Sequence, residues 1–395
     1  MRSRPDGSEQ RRADVRALRP TRGESGFNLI ELLMALGIAA VIFMSITVLY
    51  TYQAQTLQAQ TSVLTMHREI RFALDHMRRD FLSLGSNATP NSIIDELVCP
   101  KPITDIRAVS VEINKGFVYN PQLNPNIQSA AITLFGSLDV RSRFRVDNIS
   151  GAKVTLQNTD LPATEEQWDQ IFTTDRFLRV STAEGSSFYY PIASTSFSDK
   201  SVTLTAAPPQ IAGSQRCGYL ATGYGMWADV QGFVRYQIIQ DQRPGAPVDE
   251  KGQFTRGLLV RERLATDGLT MVSQTALAEN AIELSIADAA FDLDPSADRI
   301  IYKVIPLQDD PQLVTSGGGG LLGRSTSSKP EALRSISIKL ALRSDVPDRS
   351  LAHQKRAATH LPLTTYRLDI NRPTTCRVVM MGSRVHLPTM VARNL

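Results

Sequence analysis

Residues 26 to 50 read GFNLIELLMALGIAAVIFMSITVLY, an apolar run that carries one carboxylate, Glu31, near its start. From Phe27 to Tyr50 there are 24 residues, and after Glu31 the next side chain able to take a charge near neutral pH is His67. About 20 such residues cross the hydrocarbon core of a bilayer as a helix. A carboxylate in lipid is costly, so a sequence that keeps one there usually supplies a partner; the alternative is an incidental residue at the bilayer edge, as in an ordinary signal anchor. A cut after Gly26 supplies that partner. The new α-ammonium of Phe27 would then stand four residues from Glu31, one helical turn away.

The flanks orient this segment. Residues 1–26 hold seven Arg against two Asp and two Glu, which accounts for most of the net charge of +4. By the positive-inside rule this leader is cytoplasmic, and everything after the apolar run lies on the far side of the membrane. It differs from an ordinary secretory signal, whose apolar core is shorter and is followed, rather than preceded, by the cleavage site. The rest of the chain is near neutral and has no stripe of Lys and Arg, so no nucleic-acid partner is expected.

From Phe27 to Leu84 there is no proline and only one glycine, Gly37. The sequence therefore predicts one helix over 27–84, with its membrane segment at 27–50. The second half places Leu57, Leu64, Ile70, Leu74, Met77, Phe81 and Leu84 as a stripe expected to lie on a domain core. Gly85, Asn87 and Pro90 end it.

Beyond Pro90 the texture becomes short β-type runs divided by Gly, Pro, Asn and Asp, among them AITLFGSL, AKVTLQ, SFYYPIA, GFVRYQIIQ, GLLVRERLA and RSISIKLALRS. One short helix is expected around Trp168, capped by Thr164. The fold class is thus α+β, a long N-terminal helix on an antiparallel, β-rich head spanning 85–395. Residues 240–253 read as a polar hairpin and 315–330, rich in Gly and Ser, as a flexible loop.

Chemistry-bearing patterns are sparse. Asp292, Asp294 and Asp298 match the first half of a calcium loop, but Ala297 stands where the loop needs Gly and Lys303 where it needs a bidentate Glu. Cys99, Cys217 and Cys376 permit one disulfide, in three pairings. The five histidines share no metal-ligand spacing, and SGGGGLLGRS is neither a nucleophile elbow nor a phosphate loop. Tyr219, Tyr224, Trp227 and Phe233 are read first as strand and core aromatics, with a binding surface as the alternative. No motif asks for a cofactor, and no acid–base or nucleophile cluster suggests an enzyme.

The string RGESGFNLIELLMALGIAAVIF resembles the leader of type IV pilins and pseudopilins. In that family a prepilin peptidase cuts between Gly and Phe and N-methylates the new terminus, and Glu stands at the fifth mature position. Gly26, Phe27 and Glu31 occupy those places. REIRFALDHMRRDFLSLGS, EALRSISIKLALRSD and the terminal RVHLPTMVARNL are similar to PilW-type minor pilins, while residues 90–235 match nothing in the family and are set apart as an insertion. The resemblance implies an inner-membrane precursor with a periplasmic head, assembled into a pilus at or near its tip. Its implied partners are the peptidase, the major and other minor pilins, the inner-membrane assembly platform and a tip adhesin. A J-type pseudopilin of a type II secretion system and a pilin-anchored binding module are the alternatives.

Overall fold

The structure, a computed structural model, describes residues 28–84, 109–140, 142–182, 187–208, 225–292, 302–306, 333–348, 351–358, 360–369 and 374–387. The leader 1–26, Phe27 and the loop 315–330 lie outside these residues. One long helix, α1, runs Leu29–Leu82. The chain divides into two units, Met1–Gln58 and Ala59–Leu395.

In the first unit, Leu29, Ile30, Leu33, Ile38, Val41 and Phe43 are all exposed. The helix is long and apolar enough to cross a membrane. Its few hydroxyls bond to their own helix: Ser45 Oγ donates to Val41 O at 2.9 Å and Thr47 Oγ1 to Phe43 O at 2.8 Å. Such back-bonding satisfies these Ser and Thr donors within the helix, so they need no water in lipid.

The second unit opens with the rest of α1 and continues in β-structure. Its strands are β1 (Val109–Glu112), β2 (Ala131–Gly136), β3 (Arg143–Ser150), β4 (Lys153–Leu156), β5 (Phe177–Ser181), β6 (Ser187–Ser196) and β7 (Ser201–Leu204). They are followed by β8 (Trp227–Gln240), β9 (Gly257–Leu264), β10 (Met271–Glu279), β11 (Ala281–Asp292), β12 (Tyr302–Pro306), β13 (Leu333–Arg343), β14 (Thr365–Arg367) and β15 (Thr375–His386). All named pairings are antiparallel.

Strand β8 organises the large sheet. Its first residues, Trp227 to Gln231, pair with both β3 and β5, so that β8-β3-β4-β7-β6-β5 closes into a ring. Its later residues pair with β2 and β9 in an open sheet, β1-β2-β8-β9-β10. A second sheet has the order β12-β11-β13-β15-β14. One left-handed residue, Asn280 at φ 55°, separates β10 from β11 and turns the chain from one sheet into the other. Asn tolerates that conformation better than most residues.

The cores follow from these pairings. The ring encloses Phe144, Val154, Leu178, Phe188 and Val202 around Trp168 and Phe172. Trp168 sits on α2 (Glu165–Ile171), whose start is capped by Thr164 accepting from the Gln167 N–H at 3.3 Å, as the sequence predicts. The larger core joins α1 to both open sheets: Met66, Ile70, Ala73, Leu74, Met77, Phe81 and Leu84 pack with Val109, Ile132, Tyr236, Leu259, Leu284, Ile336, Ile338 and Leu340. The described residues of 90–235 are therefore shared between these cores, with β1 and β2 on the helix and β3 to β7 in the ring.

The expected stripe on α1 needs correction at its upper end. Leu57 and Leu64 are 65% and 69% exposed, whereas Met66 and Ala73 are buried. At about 100° per residue, Leu57 and Leu64 fall roughly 140° and 120° away from Ile70, while Met66 and Ala73 fall within about 60° of it. The six-residue gap between Leu64 and Ile70 turns the helix by about 600°, which leaves Leu64 a third of a turn off the stripe.

The two open sheets meet at Gly257. A Cβ there would stand 2.1 Å from the Ala281 carbonyl oxygen, a backbone atom that cannot swing aside. Gly257→Ala is expected to destabilise the head by about 2 kcal/mol, measured as a lower denaturant midpoint at unchanged slope.

Candidate functional site

The first turn of α1 holds Glu31, the one charged side chain among the described residues of the first unit. Asn28 precedes the helix and its carbonyl accepts from the Glu31 and Leu32 N–H groups at 2.8 and 3.2 Å. Glu31 is then the third helical residue, and its Oε2 accepts from the Asn28 N–H at 3.4 Å. This is the returning half of a capping box, in which the third-position carboxylate satisfies a donor that the helix cannot reach. A carboxylate in the first turn also offsets the positive end of the helix dipole. Sequence reasoning placed Glu31 one turn from a cut at Phe27. The structure adds that its carboxylate is turned back toward the chain's N-terminal side. Gly26 and Phe27 themselves lie outside the described residues.

A second polar arrangement, not anticipated from the sequence, fixes the lower half of α1. Asp80 is 3% exposed on the edge of the apolar stripe. Its Oδ2 accepts from Tyr236 Oη at 2.5 Å and from Arg261 Nε at 2.8 Å. Arg261 Nη2 also donates to Asp139 at 2.6 Å, and Asp139 receives Arg176 Nη2 at 3.1 Å. His76, one turn before Asp80, places Nδ1 3.3 Å from the Tyr236 oxygen. The Tyr236 proton is committed to Asp80, so His76 Nδ1 is the donor in that contact.

The electrostatics agree with a fully paired chain of charges. Burial first, and then the Asp80 carboxylate, push the Tyr236 phenol far above its ordinary pKa. Burial opposes the Arg261 charge, yet Asp80 and Asp139 outweigh it and hold the guanidinium above its ordinary value. The helix is thus bonded as well as packed to β8 and β9. The sequence carried one signal for this, an acidic residue between Met77, Phe81 and Leu84.

The other candidates divide. Cys376 is a free thiol at 0% exposure, with Arg343 Nη1 donating to its sulfur at 3.8 Å; Cys99 and Cys217 lie outside the described residues. Burial pushes the Cys376 thiol above its usual pKa, as expected for an inert core cysteine. Asp292 ends β11 opposite Tyr302 and Lys303 pairs with Phe291, so a strand pair flanks the proposed calcium loop, while Asp294 and Asp298 lie outside the described residues. Among the described residues no group of His, Cys, Asp and Glu has the arrangement of a metal site. Phe233 is core, 4.7 Å from the Phe135 ring, and Trp227 lies under Arg145 at 5.1 Å. Tyr219 and Tyr224 lie outside the described residues.

The chain matches no family model, no characterised protein and no solved structure. Function has to be read from its own residues.

Removing one member of a buried ion pair strands the other. Asp80→Ala is expected to cost about 3 kcal/mol of head stability, and Tyr236→Phe about 1 kcal/mol, both read by denaturant unfolding. Equal, negligible effects would mean that apolar packing alone holds the helix.

Proposed function

We propose that this chain is a minor pilin of the PilW kind. It is made as a prepilin, held in the inner membrane by residues 27–50 with its head in the periplasm, and cut between Gly26 and Phe27 by a prepilin peptidase. Phe27 is N-methylated, and the mature protein enters a type IV pilus at or near the tip through contacts of its N-terminal helix with the major and other minor pilins.

The observation that carries this reading is the first turn of α1. The exposed apolar half of α1 starts two residues after Phe27, and the one carboxylate in that half accepts from the N–H of Asn28, the residue next to the proposed new terminus. In the precursor, Glu31 caps the helix. After the cut the same carboxylate neutralises a cation that would otherwise sit at the positive end of the helix dipole, where it is unfavourable. A bundle of such helices is a low-dielectric medium, in which the pair is stronger than in water and an unpaired Glu31 is costly. Extraction from lipid into a helical bundle then exchanges one apolar surrounding for another, with the charge kept neutralised.

Mass spectrometry of the protein recovered from membranes and fibres tests the class. The expected N-terminal peptide begins with N-methyl-Phe27, and Gly26→Ala leaves the leader attached. A mature protein that retains residues 1–26 would overturn the proposal.

A further inference from the structure

The outer face of α1 between Leu64 and Leu82 has the composition of an interface and the spacing of a helix seam. Leu64, Arg68, Arg71, Asp75, Arg78 and Leu82 follow one another at gaps of 4, 3, 4, 3 and 4 residues. That alternation is the repeat by which one helix meets another along a narrow line. Every one of these six is exposed, Leu64 at 69% and Leu82 at 37%, and Phe72 beside them is 58% exposed. A solvated helix face does not need three large apolar side chains, and aromatic, leucine and arginine together are the makings of a docking surface.

The charges say what kind of partner fits. Among the described residues Arg68, Arg71 and Arg78 form no ion pair, whereas Arg179, Arg235 and Arg261 on the strands, and Arg256 and Arg356 in connecting segments, each meet a carboxylate. Only Arg79 is matched on this face, by Asp75 at 2.5 Å. All the cations of α1 are arginine, none lysine, and the planar guanidinium is the group suited to a carboxylate held at a fixed distance. A second copy of this chain laid on the same seam would set arginine against arginine, so self-pairing is disfavoured.

We propose that this face docks an acidic amphipathic helix of a different protein, with leucine-type residues meeting Leu64, Phe72 and Leu82 and carboxylates meeting Arg68, Arg71 and Arg78. The proposal deepens the minor-pilin reading: the neighbour in the fibre is heterotypic, and its helix bears glutamate or aspartate on this seam. The narrow heptad line favours a helix over a flat anionic membrane.

The test uses the full-length chain in nanodiscs of zwitterionic lipid. The probes are two synthetic amphipathic helices with one leucine seam, one bearing glutamates and the other lysines beside it, and binding is read by fluorescence anisotropy. The acidic helix is expected to bind at least about tenfold more tightly, because its carboxylates meet three arginines where the lysine helix meets like charge. Arg68→Glu, Arg71→Glu and Arg78→Glu together should reverse the preference without moving the circular-dichroism melt. In the unaltered protein the preference should shrink between about 0.1 M and about 1 M salt, as the screening length falls from about 10 Å to about 3 Å. Equal binding of the two helices, or binding that ignores both charge reversal and salt, would overturn it. So would loss of acidic-helix binding when the nanodisc is changed to phosphatidylglycerol, since the occupant would then be lipid. The N-terminal mass is read on the same sample: a mature N-methyl-Phe27 with no helix preference sinks this inference alone, and an intact leader with the preference kept sinks the pilin reading alone.

Discussion

The constraint on which the rest depends is a helix surface that water rejects, with one charge in it. Leu29, Ile30, Leu33, Val41 and Phe43 are exposed, so this half of α1 requires either lipid or other apolar helices around it. Glu31 is the sole exception, and it is kept at the one position where a helix has unmet N–H donors to offer it. A glutamate in the middle of the same segment would have only completed i to i−4 bonds around it. Placement in the first turn therefore turns a desolvation penalty into a capping interaction, and cleavage next to it would turn the cap into an ion pair.

The lower half of α1 solves a different problem. A helix packed on β-sheets through Ile70, Met77 and Phe81 could slide or rotate on an apolar face with little penalty. Asp80 removes that freedom, because Tyr236 and Arg261 satisfy its carboxylate in one register only. Its other side carries Arg68, Arg71 and Arg78 without an ion-pair partner among the described residues, whereas Arg179, Arg235 and Arg261 on the strands each meet a carboxylate. One element thus bears three distinct surfaces: an apolar one that needs a membrane or bundle, a packed one with a polar lock, and a cationic seam.

Much of this was legible in the sequence, and the exceptions have physical reasons. The long helix, the Thr164-capped turn and strands such as β2, β8 and β13 follow from local spacing, capping chemistry and alternation, all of which act over a few residues. β10 could be read as helix or strand, because MVSQTALAE is exposed on both faces over its first six residues and no burial pattern marks it. The Asp80 to Arg261 pair joins residues 181 apart, and no local signal announces it. Leu57 and Leu64 share the hydrophobicity of the core stripe but not its phase; their angle puts them on the outer face, where Leu64 begins the seam. The proposed cut between Gly26 and Phe27 rests on resemblance and on the placement of Glu31, and both residues lie outside the described ones.

The central claim is that Glu31 acts in assembly through its charge, paired with the ammonium that cleavage creates. Glu31→Gln keeps the size of the side chain and an oxygen able to cap Asn28, and removes only the charge. The decisive measurement is the fraction of Glu31→Gln protein recovered in sheared, purified fibres relative to membranes, beside the wild type. The account predicts normal cleavage, normal membrane levels and at least about a tenfold fall in the fibre fraction, the loss of one desolvated ion pair. Wild-type levels of the variant in fibres would contradict it.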